Sequence, residues 1–323
     1  MKKLLISLIT ILMLAGCTTT NTPTATATVS PTATATVEDV EGLSVICPMG
    51  APAVALISTA LEEKNTVDFV SGPDLLQAAF VNPTPQYDVI VAPSNLGAIL
   101  ATSEKTTYKM LGIVSWGNLY ILATNENALT DPEAEIAAFG EASVVGLVFE
   151  DVAKDQIAGN ITYYSSVSEA QAALLAGNAD AALIAEPAAT ATIAAGSEKD
   201  LNITVVADLQ ELWQEKYDQS GYPQAAIFVS EDALNNKLAS IEDFTATLST
   251  GIDYYKDEAN KDVLQADIDT LGVDTLGVPS AALISSVYSK MNLKYVAAKD
   301  ATVELDSFMQ LFGLDDSSKY IVE

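Results

Sequence analysis

The chain has 323 residues, nearly half of them apolar, and a formal charge of −28 with no histidine. Its 15 basic residues are all lysines. That balance excludes nucleic-acid binding, which needs clustered Lys and Arg, excludes Ser-His-Asp, Cys-His and His-zinc chemistry within the chain, and removes the bidentate arginine that usually holds a doubly charged oxyanion.

The first predicted element is an export signal. Lys2-Lys3 is a basic head, Leu4 to Leu14 is an apolar run too short to span as a mature helix, and small residues follow. Leu14-Ala15-Gly16-Cys17 resembles the cleavage box of bacterial lipoproteins. The resemblance implies that residues 1–17 end in a lipidated Cys17, and that the chain is extracytoplasmic and anchored to the bacterial cell membrane through that lipid. Residues 18–42 are Thr/Ala-rich with an imperfect TATATV repeat. Such a segment buries too little apolar surface to offset its ordering entropy, so it reads as a disordered tether, reaching roughly 25–30 Å on average. With Cys17 acylated, Cys47 is the only other thiol. No internal disulfide can form, and Cys47, in the run LSVIC, reads as a buried small hydrophobe.

From Leu43 short apolar runs alternate with helical segments. LSVICP, VDFVSGP and YDVIVAP read as strands, followed by the helices APAVALISTALEE, DLLQAAFV and SNLGAILAT. This alternation predicts βα units and a mainly parallel sheet. Three strand-to-helix turns then share the rim where open α/β sheets bind ligands. Two apolar runs flank Trp116-Gly117-Asn118, and the second suits a strand leaving the first lobe. In a second α/β set, DPEAEIAAFG reads as a short helix capped by Thr130 or Asp131 and SVVGLVF as a strand. ITYYSS reads as a strand, and SVSEAQAALLAG as a helix with Ser168 as N-cap and Gly177 as stop. ADAALIA is a strand, after which Glu186-Pro187 opens a helix. NITVVADL is a strand, QELWQEKYDQ a helix, and GYPQAAIFVS a return crossing. Residues 231–323 read as helical throughout.

Six stretches, in this order, resemble the extracytoplasmic solute-binding proteins of ABC importers, the nitrate/sulfonate/thiamine-precursor (NMT1/THI5-like) group. They are LAGC, CPMGAPAVAL, YDVIVAPSNLGAIL, WGNLYILAT, SVSEAQAALLAGNADAALIAEPAATA and GYPQAAIFVS. The resemblance covers most of residues 43–315. It implies a type II periplasmic-binding-protein fold: two α/β lobes joined by a two-crossing hinge. The first lobe is built from residues 43–120 and 226–323, and the second is inserted as 121–225. It also implies a small-molecule ligand captured between the lobes without chemistry or cofactor, an ABC permease and ATPase as partners, and a monomer.

Carried over by position, Gly50, Ala51 and Pro52 in the first rim turn, Ser71 and Gly72 in the second, and Ser94 and Asn95 in the third sit against the ligand. The polar ones serve equally as plain N-caps. Trp116 and Tyr120, by the first crossing, offer either a stacking face or hinge packing. Tyr222 and Gln224 match the second crossing, and Asn292 a late return to the rim. Glu186 either starts a helix or contacts the ligand. In one departure from the group, LVFEDVAKDQIAGNITYY reads as a short connector where a full helix is expected. Glu150, Asp151 and Asp155 stand there instead, which favours a neutral or cationic ligand such as a heteroaromatic. Lys154 in the same connector keeps a sulfonate-like one open. Two other functions fit the same fold: an enzyme of the menaquinone-pathway or pyrimidine-synthesis type, and a ligand-sensing lipoprotein.

Overall fold

The computed structural model describes residues 40–322. The signal, Cys17 and nearly all of the Thr/Ala tether lie outside the described residues. Among the described residues are eleven strands: β1 Ser44–Pro48, β2 Thr66–Val70, β3 Val89–Pro93, β4 Lys109–Ser115, β5 Leu119–Ala123, β6 Glu135–Phe139, β7 Asn160–Tyr164, β8 Ala181–Ala185, β9 Thr204–Asp208, β10 Ala225–Val229 and β11 Leu293–Ala297. They form two sheets, ordered β11-β4-β10-β3-β1-β2 and β7-β6-β8-β5-β9, each with helices packed on it.

Both sheets are mixed, which corrects the expectation of mainly parallel ones. β1, β2 and β3 are parallel, but β10 runs antiparallel to β3 and β4. β6, β7 and β8 are parallel, but β5 runs antiparallel to β8 and β9. β11 also runs antiparallel to β4, but the reversed strands β5 and β10 are those that follow a crossing. A chain arriving from the other lobe enters at the rim where the parallel strands end, so it must run the opposite way. The register places Ala225 beside Pro93 and Leu119 beside Ala185, both at the rim.

Four further expectations are corrected. DPEAEIAAFG is not a helix. Asp131 accepts the Glu133 N–H at 2.9 Å in a tight turn, and Glu135–Phe139 pairs with both β7 and β8 as a strand. SVVGLVF is not a strand but the start of the helix Val144–Val152, whose buried Val144, Val148, Phe149 and Val152 form one helical face. Gly146 permits that start, because a Cβ there would stand 2.4 Å from the Gly140 carbonyl oxygen. The C-terminal third is not wholly helical. The helix Ala281–Val287 gives way to a 3-10 turn, Asn292 takes a left-handed conformation (φ 49°), and β11 pairs with β4. The N-cap of the helix Val167–Leu175 is Ser166, not Ser168.

One apolar core continues from the first sheet into the second through the hinge, where Trp213, Tyr222 and Phe308 pack together, Tyr222 stacked on Phe308 at 5.9 Å. Cys47 is free and fully buried, and burial pushes its thiol pKa well up, as its apolar setting predicts.

Candidate functional site

The two crossings are tied to each other and to both sheets. The Trp116 N–H donates to the Asn292 carbonyl at 3.0 Å. Asn292 Nδ2 donates back to the Trp116 carbonyl at 2.7 Å, and Trp116 Nε1 donates to the Lys294 carbonyl at 2.9 Å. Gln210, on the helix Leu209–Tyr217, bridges both crossings. Its Oε1 accepts the Leu119 N–H at 2.8 Å and the Tyr222 hydroxyl at 3.0 Å, and its Nε2 donates to the Leu119 carbonyl at 3.1 Å. Asn118 clamps the first crossing to the end of β8. Its carbonyl accepts the Glu186 N–H at 2.9 Å, and its Nδ2 donates to the Glu186 carbonyl at 2.8 Å.

Beside this hinge lies a cleft with two compartments that share Pro52, Val145 and Gln224. The smaller, of about 330 Å³, is walled by Pro48, Pro52, Pro73 and Pro93. Two helix starts meet there, Asn95 and Leu96 from the helix Ser94–Thr102 and Ser143 to Val145 from the helix Val144–Val152. First-turn N–H groups have no intrahelical acceptor, and neither start carries a side-chain cap. The positive ends of two helix dipoles therefore converge on a compartment with no carboxylate in its wall. The larger compartment, of about 630 Å³, is walled by Gly50, Ala51 and Pro52 on one side and by Asn118, Gln171 and Glu186 on the other. Glu186 is 5% exposed, and its carboxylate accepts both the Thr190 N–H and the Thr190 hydroxyl, at 3.1 and 2.8 Å. It therefore caps the following helix while walling the cleft. Among the described residues, no lysine lines either compartment.

Of the residues expected at the ligand, Gly50, Ala51, Pro52, Asn95, Glu186 and Gln224 line the cleft. Glu186 and Asn95 stand in different compartments. Ser94 is buried, and its hydroxyl donates to the Pro223 carbonyl. Ser71 and Gly72 lie exposed on the rim, outside both compartments. Trp116, Tyr222 and Asn292 belong to the hinge. Tyr222 is fully buried, and burial drives its phenol pKa well up. Tyr120 links the lobes through its hydroxyl, which donates to the Lys290 carbonyl at 3.2 Å; its pKa is raised by burial and then by Asp208 and Glu186.

The lining residues missed from sequence include Asn118, Ser168, Gln171, Gly277, Pro279 and the Ser143 turn. Asn118 closes the Trp116-Gly117-Asn118 turn between the two apolar runs. The Ser143 turn was hidden because the strand and the helix around it were exchanged. Glu150, Asp151 and Asp155 do not line the cleft. Glu150 pairs with Lys154 and Tyr163, and Asp151 with Lys216 and Tyr217. The hydrogen bonds from Lys154 and Tyr163 also hold the Glu150 carboxyl below its usual pKa. The helix start thought to be missing is present, so the observation that favoured a neutral or cationic ligand does not hold.

No family model matches the chain, and no curated protein matches it. Solved structures do. An ABC transporter protein from Parabacteroides distasonis aligns with a TM-score of 0.70 at 21% identity, over 88% of this chain and 99% of its own. The periplasmic aliphatic sulphonate binding protein SsuA from Escherichia coli aligns with a TM-score of 0.62 at 17% identity, over 88% and 92%. The ligand-binding component of an ABC-type import system from Staphylococcus aureus, solved with zinc bound, aligns at 0.60 and 13%, over 88% and 96%. The chain has the periplasmic-binding-protein fold. In that fold, as built here, the cleft lies where the two sheets turn their rims toward each other and where both crossings pass.

Proposed function

We propose that the chain is the solute-capturing component of an ABC importer, closing its two lobes on a small organic nutrient without transforming it. One arrangement carries the reading. Uncapped helix starts from both lobes converge on one compartment that the second crossing borders at Gln224 and Ala225, while Asn118 of the first crossing lines the adjoining compartment, so lobe closure and ligand contact are the same movement. The solved binding proteins of like fold support it. In this reading Cys17 carries the lipid, residues 18–42 are the tether, the 121–225 segment is the inserted lobe, and a permease and ATPase receive the solute. The converging N–H groups favour a solute with an anionic head, such as a sulfonate or carboxylate, bound without a cationic side chain.

Small molecules released from the purified protein, identified by mass spectrometry, and a thermal-shift screen of organic acids and sulfonates test the proposal. A captured solute raises stability by RT ln(1 + [L]/Kd), about 2.7 kcal/mol at a hundredfold excess over Kd. A protein that releases no solute and whose melting point no compound moves is not a solute receptor.

A further inference from the structure

The lobes also meet away from the crossings, at one end of the larger compartment, and we propose that this patch is a clasp that draws them together before any solute arrives. The Tyr120 hydroxyl, on β5 of the second sheet, donates to the Lys290 carbonyl of the first lobe at 3.2 Å. Lys290 lies in the 3-10 turn Tyr288–Met291 that follows the helix Ala281–Val287. Carbonyls at the end of such a turn have no N–H of their own turn to accept, so this one is left for a donor from the other lobe.

The helix Ala281–Val287 itself lies against the helix Ala188–Ser197 of the second lobe. Tyr120 stands on that same face of the second sheet. It pairs across with Ile184 and packs on the apolar cluster that Ala188 and Ile193 also cover. These contacts continue the walls of the cleft. Gly277 and Pro279, just before the first-lobe helix, line the larger compartment on one side, and Pro187, Ala188 and Ala191, at the start of the second-lobe helix, line it on the other. The two walls run together into helices that touch. Opening the compartment at this end parts those helices and takes the Tyr120 hydroxyl off its carbonyl. Both groups then return to water, since Tyr120 is half-buried and Lys290 exposed. The bond therefore shifts the balance between open and closed by a modest factor and does not lock it. Tyr120 and Lys290 line neither compartment, so the clasp acts without touching the solute. A chain whose closed form is already populated gives up less binding free energy to closure.

The test is pulsed electron paramagnetic resonance on the full chain carrying Cys17→Ser, freed of solute by unfolding and refolding, with spin labels at Asp74→Cys and Glu141→Cys. Both positions are exposed, and their neighbours Pro73 and Ala142 line the smaller compartment from opposite lobes. Cys47 is buried and takes no label. A short-distance population is expected without solute. Tyr120→Phe removes the hydroxyl and keeps the ring, and is expected to lower the ratio of short to long distances about fivefold. Tyr163→Phe removes a hydrogen bond to Glu150 that lies within the second lobe, and should leave the ratio unchanged. Melting curves verify the fold of each variant. A ratio unmoved by Tyr120→Phe, a ratio moved equally by Tyr163→Phe, or a chain that shows long distances alone overturns the clasp. Because no solute enters the measurement, that failure leaves the reading of the cleft as a solute site standing.

Discussion

At Gly221 the two crossings touch. A Cβ at that position would stand 2.3 Å from the Trp116 carbonyl oxygen, and that oxygen already accepts Asn292 Nδ2 at 2.7 Å. The clash is with backbone held by a hydrogen bond, so it cannot be relieved by turning a side chain. Gly221→Ala is expected to cost about 2 kcal/mol, measured as a lowered urea midpoint at unchanged m-value. At this scale the sequence was partly legible. Gln224 and the Gly50 turn follow from their place beside apolar strands. Ser94 did not, because nothing local reveals that its hydroxyl turns away from the cleft to meet Pro223, 129 positions on. Asn118 was illegible for a related reason: its partner Glu186 lies 68 positions away, and only the pairing of β5 with β8 brings them together.

The segment from Asp131 to Val152 shows where local pattern fails for whole elements. EIAAF carries small residues without β-branched support beyond Ile136, and one acid, which favours helices, yet it is buried between two neighbouring strands. VVGLVF is rich in β-branched residues, yet it is helical because one of its faces meets the core. Tertiary burial outweighs propensities of a few tenths of a kcal/mol per residue. The helix Val167–Leu175 is the opposite case: its start is marked in the local pattern, although the expected cap, Ser168, lies two residues late. Ser166 accepts the Glu169 N–H at 3.3 Å and Glu169 accepts the Ser165 N–H at 2.9 Å, and the S-x-x-E spacing marks Ser166 as the cap. Ser166→Ala is expected to destabilise by about 1 kcal/mol. Ser168→Ala, which removes no cap, should stay within about 0.5 kcal/mol. Thermal unfolding of the two variants side by side checks the assignment.

For the whole molecule, 43 acids face 15 lysines. The ion pairs that do form, such as Lys154–Glu150 and Lys216–Asp151, lie at partly exposed positions and contribute little each. Repulsion among unpaired carboxylates therefore dominates the electrostatics of the native state. Raising NaCl from 10 to 500 mM is expected to lift the melting temperature by several degrees, since screening relieves that repulsion. A flat or falling profile would indicate that the pairs outweigh it. The two-lobe architecture was legible at this scale because alternating strands and helices, interrupted by two crossings, permit few other arrangements. The direction of β5 and β10 was not, since it depends on the lobe from which each strand arrives.

The chain has only two tryptophans. Trp116, in the first crossing, donates to the Lys294 carbonyl of β11, and Trp213 packs against Tyr222 of the second crossing and Phe308. Both indoles thus sit at the crossings between the two sheets, Trp116 tied to β11 and Trp213 in the aromatic packing. The protein carries its own optical gauge: ultraviolet emission, without any attached dye, is expected to change as a solute draws the lobes together.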